Sequence, residues 1–399
     1  MNNDKIAYYS LLLVVITLPI FAKLTPIAIV LFVIITIFNA IKNKQFILVN
    51  KTITFVGLAF FLTHIISVLY SDNKNIAWFD IEVKLSLFIF PLVFIVKNEF
   101  IEKNKKYILI MFAISTLLAS IYMLFTSFLN YTEIGIKSFE YTNLSKYMHP
   151  TYISIYISFS FFILLDYLIN SNKKIENYLL IIPLLIFALM VFLLQSKAGY
   201  IAFVIAIMYY AYFFMSKSKS IILKVLVPVV IVSIVVIAYN NSYRLQDMVG
   251  VVKQIVLTGD SKNSTTGIRF EIWKATTEII SDNVMLGVGA GDIKPELNVK
   301  YNENIEYLGL AKDGNLNVHN QYLETFLGQG LIGIVLLVIL LLLALIKAIK
   351  FKDKVYVVFV ILILVNFFPE SMLNKQAGVV FFALFFYLLS NTQSKNKLV

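Results

Sequence analysis

A histidine and a carboxylate lie close together in the sequence VHNQYLE at residues 318–324, where a long polar stretch meets an apolar one. Because an imidazole titrates near neutral pH, His319 can take a proton from a hydroxyl nucleophile. Glu324 follows it at the start of the apolar stretch. The only two arginines, Arg244 and Arg269, both precede His319 in the polar stretch. Since arginine binds phosphate bidentately, these residue types predict a base beside a phosphate-binding group.

The composition shows that the elements positioning these residues must lie in lipid. Hydrophobic residues make up 59% of the 399-residue chain, charged residues 14%, and the mean hydropathy is +0.83. A soluble domain cannot bury that much apolar surface. The apolar runs are continuous rather than alternating, which predicts helices and not a membrane β-barrel. We therefore expect an all-α polytopic membrane protein.

The apolar runs predict about twelve transmembrane helices, of which the fourth is short. The first run lacks a signal cleavage site and is followed directly by another span, so it is predicted to be a retained helix. The chain then divides into helices 1–9 (residues 1–239), a long loop (240–318) and helices 10–12 (319–399). The predicted spans are residues 6–22, 24–41, 53–70, 83–97, 107–129, 150–169, 178–195, 198–215, 221–239, 320–346, 355–370 and 376–390.

The lysines predict the orientation of these spans. With a cytoplasmic N-terminus, 19 lysines fall in inner loops and tails and 7 in short outer loops. The positive-inside rule then places both termini in the cytoplasm and the long loop outside. The same distribution explains the net charge of +11 without a nucleic-acid partner. Within the loop, helical spacing of apolar residues over Ile268–Ile280 predicts an amphipathic helix on or near the membrane surface, followed by a glycine-rich turn.

This topology gathers further polar residues on the outer face. His149 precedes the sixth span, Lys197 lies between the seventh and eighth, and Glu370 ends the eleventh. Such a cationic cluster fits a lipid head group or a pyrophosphate, and suggests group transfer from a polyprenyl-pyrophosphate-linked donor. Structural roles remain open for each residue. Lys197, like the two arginines, can anchor at the interface; His149 can cap a helix; and Glu370 can bond a neighbouring helix.

No metal or cofactor is predicted. The sequence has no cysteine, no histidine or carboxylate cluster at metal-ligand spacing, and no Gly-x-x-x-x-Gly-Lys loop. The energy must therefore come from an activated substrate or a gradient. A transporter would need ionisable residues at membrane depth and related halves. Apart from His64 the polar candidates share one face, which disfavours a transporter.

Three segments in this order resemble the O-antigen ligase/polymerase superfamily of bacterial cell-envelope glycosyltransferases. They are QSKAGY at 195–200, GIRFEIW at 267–273 with GVGAG at 287–291, and VHNQYLE at 318–324 continuing to Gly333. The twelve-span plan, with its long outer loop before the tenth span, is also similar. The departure is Lys197, where the family usually has arginine, so the ligand role of this position is less secure.

The resemblance implies a GT-C-type glycosyltransferase fold in the bacterial inner membrane. It implies metal-free, inverting transfer of a glycan from undecaprenyl pyrophosphate to a lipid A–core acceptor at the periplasmic face. His319 would activate the acceptor hydroxyl, and Arg269 with Lys197 would hold the pyrophosphate. Arg244, Glu324 and His149 are further substrate-binding candidates. An O-antigen or exopolysaccharide polymerase, or a ligase that glycosylates proteins, shares the same donor chemistry and stays open.

Overall fold

The computed structural model describes residues 3–43, 47–171, 174–217, 219–258, 265–303 and 316–391. Over these ranges the secondary structure is helical, apart from an isolated bridge between Leu48 and Val96. The helices are α1 (Asn3–Ile20), α2 (Thr25–Asn43), α3 (Lys51–Tyr70), α4 (Lys74–Lys84), α5 (Ser86–Phe94), α6 (Glu99–Leu129), α7 (Tyr131–Ile134), α8 (Tyr141–Leu144), α9 (Pro150–Asn170), α10 (Lys174–Leu193), α11 (Lys197–Lys217), α12 (Ile221–Asn241), α13 (Tyr243–Thr258), α14 (Thr265–Asp282), α15 (Ile293–Glu303), α16 (Gln321–Lys350), α17 (Lys354–Phe367) and α18 (Gln376–Ser390).

The apolar helices confirm a multi-pass membrane protein. In the described ranges, seven helices are long and apolar enough to cross a bilayer, namely α2, α3, α6, α9, α11, α12 and α16. Three shorter apolar helices correspond to α10, α17 and α18. The other two predicted spans coincide with α1 and with the pair α4–α5. A count of twelve crossings stays a prediction.

The centre of the bundle is an aromatic cluster between α6, α9 and α18. Phe112, Tyr156, Phe159, Phe381 and Phe385 are all fully or almost fully buried. Their ring centroids lie 4.6 to 6.1 Å apart, mostly in edge-to-face or tilted contacts. Since lipid is as apolar as these side chains, close packing rather than exclusion from water holds such helices together. This rigid centre carries the helix ends that form the site.

The two ends of the bundle differ in what they carry. At one end Asn50 donates to Asn391 and accepts from Lys347, and Asn391 donates to the carbonyl of Phe94 at 3.1 Å. The start of α3 and the ends of α5, α16 and α18 therefore meet there. The opposite end, called the loop end here, carries residues 242–258, 265–303 and 316–320. Its assignment to the periplasm rests on the lysine distribution and stays a prediction.

The fourth predicted span corresponds to two short helices. The predicted span 83–97 is represented by α4 and α5, which meet at Leu85. α4 carries charge inward: Lys84 forms an ion pair with Asp80, and Asp80 lies 3.4 Å from Nδ1 of the buried His64 on α3. Because these charges lower the local hydropathy, the predicted span 83–97 included α5 but only the last residues of α4.

The long loop folds into helices that pack on the bundle. The amphipathic helix expected at Ile268–Ile280 is present as α14. Its apolar face buries Ile272 and Ile279 against Leu297 of α15 and Leu327 of α16. That face contacts protein, and a location of the helix on or near the membrane surface stays a prediction. The packing fixes the first turns of α14 beside the loop end of α16.

A kink at Gly330 receives the glycine-rich segment, residues 284–291. Gly330 has φ 64° and ψ −162°, which interrupts the hydrogen bonds of α16. The amides of Val288 and Gly289 donate to the carbonyls of Leu327 and Gly328 at 2.8 and 3.1 Å. The amide of residue 331 in turn donates to the carbonyl of residue 284 at 2.8 Å. The segment thus satisfies backbone groups that the kink releases.

The same segment is anchored to the end of α3. The amides of Ala290 and Gly291 donate to the hydroxyls of Ser67 and Ser71 at 3.3 and 3.2 Å. The carboxylate of Asp292 accepts from the amides of residues 72 and 73 at 2.8 and 3.0 Å. Two bundle helices, α3 and α16, therefore hold the segment that follows the C-terminal end of α14.

Candidate active site

A cavity of about 290 Å³ opens at the loop end of the bundle. It contains five of the six site residues predicted from the sequence; the exception is Glu324. Its lining consists of Tyr141, His149, Thr151, Ser196, Lys197, Ala198, Arg244, Ile268, Arg269, Leu316, His319, Pro369 and Glu370. Six segments of the chain therefore supply a single chamber.

His319 lies just before α16, and not on the helix that the sequence predicted it to begin. Its φ is 50°, a left-handed conformation that costs a non-glycine residue about 1–3 kcal/mol. The following Asn320 is the N-cap, and its Oδ1 accepts from the amides of Tyr322 and Leu323 at 2.9 and 3.1 Å. Tyr322 donates its hydroxyl to the carbonyl of Leu364 at 3.1 Å. The motif thus fixes a strained backbone that presents the imidazole to the cavity.

Glu370 lies between the imidazole and a guanidinium group. Its Oε2 is 3.7 Å from Nδ1 of His319 and 3.8 Å from an Nη of Arg269. Burial raises the pKa of the Glu370 carboxyl, but His319, Arg269 and His149 lower it more strongly, so the pKa is below its ordinary value. A carboxylate charge therefore faces the two groups for which chemistry was predicted.

Arg269 is presented by the second turn of α14. Trp273, one turn further along, donates its Nε1–H to the carbonyl of Val318 at 3.0 Å and packs on Phe368 with ring centroids 5.2 Å apart. Burial lowers the pKa of Arg269 from its ordinary value, and the charge of Arg244 adds to this lowering. Trp273 thus connects the helix carrying the guanidinium to the residue before His319.

Lys197 and Arg244 form the opposite side of the cavity. The Lys197 ammonium lies 3.1 Å from Oδ2 of Asp247 and donates to the hydroxyl of Thr266 at 2.5 Å. The guanidinium of Arg244 stacks on the ring of Tyr141 at 3.7 Å. Its Nε has no hydrogen-bond partner among the described residues. The cavity therefore holds three cations in fixed positions.

His149 has both a structural and a site position. Its Nδ1 accepts from the amide of Thr151 at 3.4 Å, so the imidazole caps α9 as its sequence position before Pro150 allowed. Burial lowers the pKa of His149, and the charges of Arg269 and His319 act in the same direction. A neutral imidazole that accepts at Nδ1 carries its proton on Nε2 and can donate there.

Five helices bring their N-terminal ends to the cavity. His149 precedes α9, Lys197 begins α11, Arg244 is in the first turn of α13, Arg269 is in the second turn of α14, and His319 precedes α16. Helix N-termini carry partial positive charge and unpaired amides. Together with the three cations they create a strongly positive chamber that suits a multiply charged anion.

The family comparison agrees with this geometry. A sequence model described as O-antigen ligase matches residues 182–338, a range that includes Lys197, both arginines and His319. Over this range the chain is similar to the O-antigen ligase family. It is also similar to an uncharacterized protein of Haemophilus influenzae, with 27% identity over 308 residues, which cover 74% of this chain and 72% of that protein.

This likeness indicates a membrane enzyme of the ligase/polymerase glycosyltransferase type. Substrates of this class are, in general, a lipid-linked glycan and a lipid acceptor. Within the ranges that the structure describes, no three histidine, aspartate or glutamate side chains are grouped to hold a metal ion. Metal independence itself stays a prediction.

Glu324, the remaining candidate, is not among the residues that line the cavity. Its carboxylate is buried and accepts from Ser371 Oγ at 3.0 Å, Asn374 Nδ2 at 2.7 Å and the amide of Val318 at 3.3 Å. It therefore does not line the chamber in which substrate binding was expected. Its partners are the two segments that carry His319 and Glu370.

Sequence reasoning missed three lining or adjoining groups. Glu370 was recognised as an outer polar residue but not assigned to the site. Its ion-pair partners are Arg269 on α14 and His319 just before α16. Tyr141 and Asp247 had no motif to mark them. The spacing of Asp247 from Arg244 is a helical i, i+3 relation, which was the one available signal that both face the same side.

Proposed function

We propose that this protein transfers a glycan from undecaprenyl pyrophosphate to a hydroxyl group of lipid A–core at the periplasmic face of the inner membrane. The observation that carries the proposal is the cavity that brings His319 within ion-pair distance of Glu370, and Glu370 within that of Arg269. A proton acceptor, a carboxylate and three fixed cations are the groups that this reaction requires. Arg269, Arg244 and Lys197 bind the pyrophosphate.

In the proposed step the imidazole of His319 removes the proton of the acceptor hydroxyl. The oxygen attacks the anomeric carbon from the face opposite the pyrophosphate, so the configuration inverts. The bond from the anomeric carbon to the pyrophosphate oxygen breaks, and its electron pair remains on the leaving undecaprenyl pyrophosphate. The cations stabilise the charge that develops there, and Glu370 stabilises the imidazolium.

Deletion of the gene in its native bacterium tests the acceptor. Accumulation of carrier-linked polymer, with lipid A–core lacking long chains, supports the ligase. Lipid A–core bearing a single repeat unit supports a polymerase of the same superfamily, in which a second lipid-linked glycan is the acceptor. Unchanged lipid A–core glycans with loss of glycan from a surface protein support a protein-glycosylating ligase.

His319→Asn tests the proposed base. Asparagine tolerates the left-handed backbone at this position, so the variant removes the imidazole with little added strain. We expect transfer to fall at least ~100-fold, in line with the usual contribution of a general base. The matched control is Lys352→Asn. Lys352 also has a left-handed backbone, with φ 54°, but it lies at the opposite end of the bundle, so this variant should retain full transfer. Normal transfer by His319→Asn, at equal membrane levels, excludes His319 as the base.

A further inference from the structure

The buried carboxylate of Glu324 has only hydrogen-bond donors around it. Ser371 Oγ and the amide of Val318 donate to Oε2, and Asn374 Nδ2 donates to Oε1. The Ser371 hydroxyl is itself an acceptor, because it receives the amide of Asn320 at 3.2 Å and so must point its proton at Glu324. Three donors converge on a group that has no donor of its own when ionised.

These bonds join the two segments that carry the reacting side chains. Val318 and Asn320 flank His319, whereas Ser371 directly follows Glu370. A second connection, from the amide of Leu373 to Oε1 of Gln321 at 2.7 Å, lies beside the first. The strained φ of 50° at His319 is therefore held between residues whose backbone positions depend on Glu324.

We propose that Glu324 is a positioning residue that sets the separation of His319 and Glu370 and does not contact substrate. This inference rests on the proposed function, because it assumes that these two side chains act together. It reassigns a residue whose place in the motif suggested substrate binding. Three donors meet at this point, so a group that only accepts hydrogen bonds is needed there. The Glu324 carboxylate is such a group, and it does not line the cavity.

Glutamine at this position cannot satisfy the same neighbours. If its oxygen accepts from Val318 and Ser371, its NH₂ group faces the NH₂ group of Asn374. If it is flipped, the NH₂ group faces the amide of Val318. In the first orientation Asn374 must flip its amide to pair, and in both orientations the bonds from Val318 and Ser371 lose the charge of the carboxylate, which loosens the two segments. A misplacement of about 1 Å at a reacting group costs up to ~100-fold in rate, so Glu324→Gln should lower transfer at least ~10-fold.

The double variant Glu324→Gln/Asn374→Asp should restore the network. In this exchange the glutamine oxygen accepts from Val318 and Ser371, while its NH₂ group donates to the new carboxylate at position 374. Asn374 is half-buried, so a charge is tolerated there better than in the interior. Asn374→Asp alone brings two carboxylates together and should be impaired.

The experiment uses the full-length protein in two measurements. Transfer is measured as acceptor-linked glycan in the native deletion strain complemented with each variant at matched membrane levels. Binding of undecaprenyl pyrophosphate is measured on the purified proteins. We expect Glu324→Gln to bind this lipid within about twofold of wild type, because the three cations lie outside the network, while transfer falls at least ~10-fold. The double variant should recover most of the lost transfer.

A buried amide on the same helix supplies the matched control. Gln329 is buried, and its Oε1 accepts no hydrogen bond from any described residue. Gln329→Met should therefore leave both measurements unchanged. The proposal is overturned if Glu324→Gln transfers normally, if it loses lipid binding in parallel with transfer, or if the double variant reaches the membrane and stays as inactive as Glu324→Gln. Normal transfer by His319→Asn would instead refute the proposed function, so the two failures are distinguishable.

Discussion

The kink at Gly330 gives a prediction whose size follows from the structure. In Gly330→Ala the new Cβ would lie 2.3 Å from the carbonyl oxygen of Met285 and 2.6 Å from the carbonyl carbon of Leu286. Both are backbone atoms, so neither can move aside as a flexible side chain would. The residue must also keep a φ of 64°, which favours glycine.

These two effects outweigh the bonds that hold the segment. Overpacking costs about 2 kcal/mol, and the unfavourable backbone region about 2 kcal/mol more. The three backbone hydrogen bonds between the glycine-rich segment and the kink contribute about 1 kcal/mol each. The penalty of about 4 kcal/mol exceeds these three bonds by about 1 kcal/mol, which is roughly fivefold in an equilibrium constant, so the segment should separate from the kink of α16.

Separation should be visible both in activity and in labelling. The segment after α14 would keep its anchor on α3 but lose that on α16, so Arg269 would shift from its place near Glu370 and transfer should fall about fivefold. The chain contains no native cysteine, so Ala290→Cys gives a single reporter at a buried position of the segment. A membrane-impermeant maleimide should label it in the Gly330→Ala background and only weakly in the parent.

Two other glycines separate the contributions. A Cβ at Gly250, in the regular helix α13, meets nothing within 4 Å, and Gly250→Ala should be silent. Gly135 has φ 62° but the same open surroundings, so Gly135→Ala carries the backbone strain without the clash. Normal transfer by Gly330→Ala, with residue 290 still protected from the maleimide, would refute the proposed docking of the segment.

Three further predictions concern the site. Arg269→Lys should lower transfer about tenfold although the charge is kept, because lysine lacks the planar fork for phosphate; full transfer would contradict bidentate binding. Transfer by washed membranes should be insensitive to EDTA, and a loss restored by Mg²⁺ would contradict a metal-free reaction. Because the pKa of Glu370 is below its ordinary value of 4.5, its ion pairs stabilise the fold above that pH and are lost as the pH falls through the lowered pKa. Thermal melting in detergent should therefore show a steeper acid-side loss for wild type than for Glu370→Gln, and parallel curves would refute this.

The apolar helices could be predicted because their signal is local. A run of apolar residues long enough to cross the bilayer needs no partner to be recognised, and the runs at α3, α6 and α9 correspond closely to the observed helices. The fourth predicted span omitted most of α4 because that local signal is weak there. Asp80 and Lys84 neutralise each other across one helical turn, so a segment that is charged in sequence is paired in the fold.

The site was predictable in its members but not in its pairings. Motif and loop position brought His319 and Arg269 into one prediction, yet the carboxylate between them comes from a segment 51 residues beyond His319. No local pattern encodes which acid pairs with which cation, because that choice depends on how α14 docks. Docking in turn depends on Gly330, whose role as a kink was indistinguishable in sequence from close helix packing.

The pairings also rank the cations as ligands of the donor. Lys197 has a compact ammonium that already contacts Asp247 at 3.1 Å and Thr266 at 2.5 Å, so it joins α11 to α13 and α14. Arg269 is 3.8 Å from Glu370, longer than the 2.7–2.9 Å typical of a charge-assisted hydrogen bond. Its guanidinium therefore retains donors that a pyrophosphate can take at little cost. In the proposed site Lys197 therefore has a structural role besides its contact with the pyrophosphate, and Arg269 is the stronger ligand of the two.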